Sequence, residues 1–330
     1  MKVVIPLLAV LAVMLTGYVG VGVLELPFLF GVVLPYAAIA VFIGGFVYRI
    51  LYWAKSPVPF RIPTTCGQQK SLDWIKSDHL DNPHDTKGVI ARMALEVFLF
   101  RSLLRNTKAE IKEGPKVVYG PTLWLWASAL VFHYCFLFTL VRHLRFFTEP
   151  VPVLVSILSS LDGFFHVGLP PILVTGLLLI AACGYLLMRR LVSPRVRYIS
   201  LAADYFPLFL ILGIAVTGVL LRHFVRTDVV GIKELAMGLV SFTPTVPQGV
   251  HWFFYVHLLL VSTLIAYFPL SKLMHLGGVF LSPTRNLANN NRMVRHINPW
   301  NAPVKVHTYE EYEDDFREKM KSADIPVDKE

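Results

Sequence analysis

Four histidines lie inside two long apolar stretches of the 330-residue chain. One stretch carries His133 and His143 ten residues apart, and the other carries His257 and His275 eighteen residues apart. Ionisable side chains are costly inside a membrane span and usually serve a function there. Because imidazole is a common axial ligand of haem iron, two such stretches could hold two bis-histidine b haems between them.

Composition indicates a membrane protein. The chain is 55% hydrophobic and only 16% charged, whereas a soluble domain carries about 25% charged residues. The net charge of +9 comes from basic residues between the apolar blocks, which indicates membrane topology and excludes nucleic-acid binding as the main role. Three isolated cysteines give no C-x-x-C-H and no iron–sulphur spacing, so any iron–sulphur chemistry is expected on a partner.

The apolar blocks predict an all-α polytopic bundle, since each is long enough to cross about 30 Å of hydrocarbon. The six predicted spans are Val3–Leu24, Phe28–Trp53, Tyr119–His143, Val167–Met188, Tyr205–Leu221 and Val250–His275. The first block starts like a signal peptide, but no A-x-A site follows and a second block comes at once. We therefore predict a retained transmembrane hairpin.

Basic residues predict the orientation. The Ala54–Val118 loop carries eleven Lys and Arg, the Arg189–Ala203 loop carries four, and the opposite loops carry few. The positive-inside rule then places these two loops and both termini in the cytoplasm, with the protein in the cytoplasmic membrane. On this topology the histidines pair by depth.

The predicted pairs are His133 with His275 on the inner side and His143 with His257 on the outer side. On an ideal helix an eighteen-residue step returns to the same face and rises about 27 Å, and a ten-residue step rises about 15 Å. On straight helices the two histidines of one span would therefore be about 12 Å farther apart in height than those of the other. Helix tilt and a kink at Pro269 are expected to absorb part of this difference.

We divide the chain into four regions. They are a transmembrane hairpin (1–53), a basic cytoplasmic loop with an amphipathic helix over Val89–Ile111 (54–118), a four-helix dihaem domain (119–280) and a cytoplasmic partner-docking tail (281–330). The tail is Asn-rich and turn-prone, and TYEEYEDDFREKM within it predicts a short acidic helix.

Other residues are candidates to support a haem. Arg142 and Arg145 flank His143, and each could pair with a haem propionate or extend to the membrane surface. Four glycines in the fourth and fifth spans would allow a flat macrocycle to approach the helices closely. For each glycine taken alone, ordinary helix packing is the alternative explanation. The four are Gly176, Gly184, Gly213 and Gly218. The remaining histidines other than His166 are interpreted as solvated or structural. They are His79, His84, His223, His251, His296 and His307.

The region from Tyr119 to Gly278 resembles the cytochrome b (gamma) subunit of respiratory nitrate reductases. The resemblance is carried by His133 and His143, by RRLVSPRVR at Arg189–Arg197 and by HLLLVSTLIAYFPLSKLMH at His257–His275. It implies that the four histidines ligate two b haems in the pairs that depth predicts.

The N-terminal hairpin, the long basic loop and the tail SPTRNLANNNRMVRHINPWNAP resemble the DsrM family of cytochrome b subunits, which belong to complexes linked to dissimilatory sulphite reduction. That resemblance implies electron exchange between menaquinone and a DsrK-like cytoplasmic iron–sulphur subunit. It also implies further membrane and periplasmic subunits.

A quinone site needs an apolar slot with a polar group for the carbonyl. His166 and Asp162 are predicted to lie on the outer side near His143. The resemblance to nitrate-reductase gamma subunits implies a basic quinone-binding residue at about the position of His166. We expect His166 to hydrogen-bond the quinone and Asp162 to relay protons; interfacial solvation is the alternative for both.

Two other functions stay open. The chain could serve a nitrate reductase or a heterodisulphide reductase as its gamma subunit. In a different class, it could be a haem-free membrane anchor or a transporter, although the repeats with broken helices typical of transporters are not found.

Overall fold

The computed structural model describes residues 1–58, 67–105, 107–114, 116–163, 170–294 and 306–329. Within these residues six helices are long and apolar enough to cross a membrane. They are Val4–Val23, Leu29–Ala54, Leu123–Phe146, Val174–Val192, Ala202–His223 and Trp252–Leu270. The predicted all-α, multi-pass architecture is confirmed, with shifted span boundaries.

In chain order the described helices are α1 (Val4–Gly17), α2 (Leu34–Ala54), α3 (Thr86–Leu99), α4 (Arg101–Leu104), α5 (Leu123–His143), α6 (Val153–Asp162), α7 (Val174–Val192), α8 (Pro194–Ile199), α9 (Ala202–His223), α10 (Val229–Val240), α11 (Trp252–Tyr267), α12 (His275–Gly278), α13 (Pro283–Asn286) and α14 (Tyr309–Ser322). Two π-helical segments, Tyr18–Val23 and Leu29–Val33, lie between α1 and α2.

The helices of the bundle pack in the order α5, α7, α9 and α11, and α1 lies against both α9 and α11. Val10 of α1 forms a buried cluster with Leu210 and Leu260. Gly17 allows this close crossing, because a Cβ there would lie 3.1 Å from the Cα of Val256. The N-terminal hairpin is thus built into the bundle beside the helix that carries His257.

The basic loop differs from its prediction. The amphipathic helix ends at Leu99 and not at Ile111, because Phe100 adopts the left-handed conformation with φ of +50°. Two antiparallel strands follow α4: β1 (Thr107–Lys112) and β2 (Lys116–Pro121). Tyr119, the predicted start of the third span, therefore lies in β2.

The first part of the tail packs on the basic loop of its own chain. The backbone N–H of Asn289 donates to the carbonyl of Pro83 at 2.7 Å, and its side-chain amide donates to Asn82 Oδ1 at 2.7 Å. Arg285 pairs with Glu96 at 3.3 Å. Farther on, α14 confirms the predicted acidic helix.

Candidate functional site

The last span is broken before it reaches His275. Helix α11 ends at Tyr267, Pro269 lies in a 3-10 turn, and Ser271 is extended with φ of −119° and ψ of 178°. A second 3-10 turn then leads into α12, which begins at His275. The kink expected at Pro269 is therefore a complete break, and His257 and His275 do not share one face of a continuous helix, because proline lacks the N–H that would continue the helix.

We call the end of the bundle that bears the basic loop the basic end, and the other the opposite end. At the basic end the structure brings His133 and His275 together. Their ring centroids are 5.9 Å apart and their planes are nearly perpendicular, at 86°. Because metal–imidazole bonds are about 2 Å long, two imidazoles this close could hold one metal ion between them.

At the opposite end lie His143 and His257, the second predicted pair. His143 is the last residue of α5, and His257 lies in the second turn of α11. The structure therefore brings His133 and His275 together and places His143 and His257 at the opposite end, where their pairing stays a prediction.

Three of these imidazoles hold one nitrogen against the main chain. Nδ1 of His133 and of His143 lies 2.7 and 2.6 Å from the carbonyl oxygen four residues earlier in α5. Nδ1 of His275 lies 2.9 Å from the carbonyl oxygen of Lys272. Because a carbonyl only accepts hydrogen bonds, each Nδ1 carries a proton and the Nε2 lone pair stays available to a metal.

The fourth imidazole is held by a side chain of another helix. Nδ1 of His257 lies 2.8 Å from Oγ1 of Thr217 in α9. Gly218 leaves space for the ring, since a Cβ there would lie 3.3 Å from the imidazole Cε1. Gly213, by contrast, packs near Val10 and Leu260, as in ordinary helix packing.

A buried ion pair lies beside His143. Arg142 and Asp162 are joined at 2.9 Å, with side chains only 8% and 6% exposed. Asp162 also accepts from the N–H and the hydroxyl of Thr175, at 2.8 and 2.6 Å. Arg142 was predicted to pair with a haem propionate and Asp162 to relay protons. In the structure their charges neutralise each other, and the pair joins α5, α6 and α7.

Two further arginines stand near this pair. Arg222 donates to the carbonyl of Pro171 at 3.2 and 3.3 Å. Arg145 is exposed and forms no ion pair with any residue that the structure describes. The predicted quinone ligand His166 lies outside the described residues.

The basic-end pair is supported by elements that the sequence analysis missed. Nζ of Lys272 pairs with the buried carboxylate of Asp204 at 2.7 Å, which ties the segment before His275 to α9. The ring of Phe100 meets His133 edge-on at 4.9 Å. Phe100 is the left-handed residue that ends α3, so the break in that helix places its ring on the histidine.

Comparison with known proteins identifies the family of the chain. The nitrate reductase gamma subunit family matches residues 93–296, which include both histidine pairs. The chain belongs to this family. The match begins after the N-terminal hairpin, so the gamma-subunit core is the part of the chain that bears the histidines.

Two archaeal relatives cover most of the chain. The Hdr-like menaquinol oxidoreductase cytochrome b-like subunit of Archaeoglobus fulgidus is 46% identical over 279 residues, covering 82% of this chain and 83% of the relative. The protein of the same description from Archaeoglobus profundus is 43% identical over 274 residues, or 81% of each chain. The respiratory nitrate reductase 1 gamma chain of Escherichia coli is 32% identical over 129 residues, 37% of this chain and 56% of its own.

Proposed function

We propose that this gamma-family chain is a dihaem b cytochrome, with His133 and His275 as ligands of one haem and His143 and His257 as ligands of the other. The observation that carries the proposal is that all four Nδ1 atoms are engaged in hydrogen bonds. In the three imidazoles held by main-chain carbonyls Nε2 therefore keeps its lone pair for a metal, and His257 does the same when its Nδ1–H donates to Thr217. This is the usual arrangement of a metal-ligating histidine and its second partner.

The number of protein ligands favours haem over a simple metal ion. Within the described residues no three His, Cys, Asp or Glu side chains come together as a metal site. Structural zinc sites take about four protein ligands, whereas haem iron needs protein donors only at its axial positions. Pairs of imidazoles suit the second case.

When bound, haem supplies one-electron transfer at the iron. The protein's residues hold the iron ligands, exclude water and set the local charge. At the opposite end we assign Arg145 to a propionate, because its charge is not neutralised by a described residue. Arg142 is assigned to the buried pair with Asp162, which holds α6 and α7 against the end of α5.

We infer that the basic end faces the cytoplasm, from the positive-inside rule, and that both termini lie there in a cytoplasmic membrane. The archaeal relatives are described as Hdr-like menaquinol oxidoreductase subunits. By analogy the chain exchanges electrons between menaquinol and a cytoplasmic iron–sulphur subunit, in a larger complex of the DsrM type. We keep the proposed roles of the four regions, 1–53, 54–118, 119–280 and 281–330. Because the first part of the tail packs on the basic loop, we assign partner docking to the tail from about residue 306.

The quinone is proposed to bind at the opposite end, near His143, with His166 as its hydrogen-bonding residue. Asp162 remains the candidate proton relay, and its ion pair with Arg142 is the competing explanation of its burial. Replacing His166 by Ala is expected to abolish quinol-driven haem reduction while dithionite still reduces both haems. Unchanged quinol-driven reduction would remove His166 from the site.

Spectroscopy of the purified protein tests the main proposal. We expect a reduced-minus-oxidised b-type spectrum and about two haems per chain. Alanine at any of the four histidines is expected to remove one haem, while His223→Ala at the end of α9 serves as the matched control and keeps both. A chain with no b-type spectrum would be an anchor or a transporter instead.

A further inference from the structure

His257 is held differently from the other three candidate ligands. The others meet main-chain carbonyls of their own segments, whereas the partner of His257 is the Thr217 hydroxyl, from the neighbouring helix α9 and 2.8 Å away. Thr217 is 1% exposed, so water does not replace this contact. A substitution can delete a hydroxyl but not a backbone carbonyl, so this contact alone among the four can be removed by changing the partner.

The direction of the Thr217 hydrogen bond follows from its other neighbours. Its Oγ1 lies 2.8 Å from the carbonyl oxygen of Gly213 and 3.1 Å from that of Ile214. These oxygens only accept, and a threonine hydroxyl has one proton to donate. When that proton goes to one of these two carbonyls, as in the other back-bonded threonines of the bundle, a lone pair of Oγ1 faces the Nδ1–H of His257.

We propose that Thr217 is the positioning residue of the opposite-end haem, acting through His257. Its hydroxyl fixes the Nδ1–H tautomer and the rotation of the ring, and the absent side chain of Gly218 leaves room for that rotation. An acceptor at Nδ1 also makes the imidazole more basic. A more basic ligand favours ferric over ferrous iron, so Thr217 lowers the midpoint potential of this haem and leaves the other unchanged.

This inference rests on the proposed ligation of haem by His257, and its test uses the full-length purified protein. Thr217→Val keeps the shape of the side chain and removes the acceptor, while Thr217→Ser keeps the acceptor. Thr263→Val is the matched control, because the Thr263 hydroxyl bonds only the carbonyl of Leu259 in its own helix, at 2.7 Å. Redox titration and electron paramagnetic resonance give the potential and the signal of each haem, and His143→Ala identifies the opposite-end haem by its loss.

We expect Thr217→Val to raise the potential of the opposite-end haem and shift its signal, or to lose that haem alone. Thr217→Ser and Thr263→Val should match the wild type. Two results overturn the inference: unchanged potentials in Thr217→Val, or equal changes in Thr217→Val and Thr217→Ser, which would indicate packing. A wild-type chain without haem would instead refute the proposed function, so the two failures are distinguishable.

Discussion

The two histidine pairs have the same composition but are held in place differently. At the opposite end both imidazoles lie on regular helices. His143 is held by a main-chain carbonyl, and the other contacts come from side chains buried between helices, Thr217 and the Arg142–Asp162 pair. At the basic end His275 follows a broken span, and its support comes from the ion pair of Lys272 with Asp204, a pair with a largely exposed lysine. The difference predicts that the opposite end is sensitive to single buried substitutions, whereas the basic end tolerates them.

The largest effect is expected from Asp162→Asn at the opposite end, compared with the same change, Asp204→Asn, at the basic end. Asp162→Asn leaves the buried Arg142 guanidinium without a counter-charge, which typically costs about 3–5 kcal/mol. We expect a clearly lower midpoint of thermal unfolding in detergent. The double variant Arg142→Gln, Asp162→Asn should recover much of the loss, because no buried charge then stands alone.

Asp162→Asn also separates its two candidate roles. A proton relay predicts slower quinol-driven turnover with unchanged thermal stability. Loss of stability with normal turnover per folded protein would assign Asp162 to the ion pair alone.

A methyl group beside His257 is expected to have the next largest effect. Gly218→Ala places a Cβ 3.3 Å from the imidazole Cε1, and overpacking of this kind typically costs about 1–3 kcal/mol. The opposite-end haem should be retained less well, while the basic-end haem stays. Gly184→Ala is the matched control, because a Cβ there has no neighbour within 4 Å; equal haem loss in both variants would contradict the prediction.

Asp204→Asn at the basic end is expected to cost less. The Lys272 side chain is 72% exposed and can reach water when its partner loses its charge, so a loss of at most about 1 kcal/mol is expected. The signal of the basic-end haem should shift slightly, because the carbonyl oxygen of Lys272 holds Nδ1 of His275. A loss of stability as large as that of Asp162→Asn would show that the two ends are held alike.

The smallest effect concerns the tail and tests whether it supports the basic-end pair. The N–H groups of Asp328 and Lys329, with the guanidinium of Arg317, hold the pKa of the Glu313 carboxyl below its usual range. A lowered folded pKa stabilises the fold above the unfolded value of about 4.3, and that stabilisation is lost as the pH falls through the folded pKa.

The protection factors of the α14 amides, which compare the observed exchange rate with the intrinsic rate at the same pH, should therefore fall as the pH drops through the folded pKa of Glu313. In Glu313→Gln these protection factors should be low at every pH. Neither haem spectrum is expected to change over the same interval. A basic-end spectrum that followed the exchange of α14 would place the tail within that site.

Much of the arrangement could be predicted from local pattern. Apolar blocks predict spans because a helix in lipid satisfies its own backbone, and the histidine spacing predicts depth because a helix rises by a constant amount per residue. The prediction was wrong where local backbone departs from the helix, at Phe100 and at Ser271. A proline marks the second break, but no residue type marks the first.

The sequence alone predicted the six spans, the basic end and the order in depth of the four histidines. Tertiary structure decided which groups hold the histidines: Thr217 meets His257 across 40 residues of chain, and Lys272 meets Asp204 across 68. Helical periodicity relates only residues within a turn or two of each other. A contact between helices depends on how they rotate and cross, and packing alone fixes that.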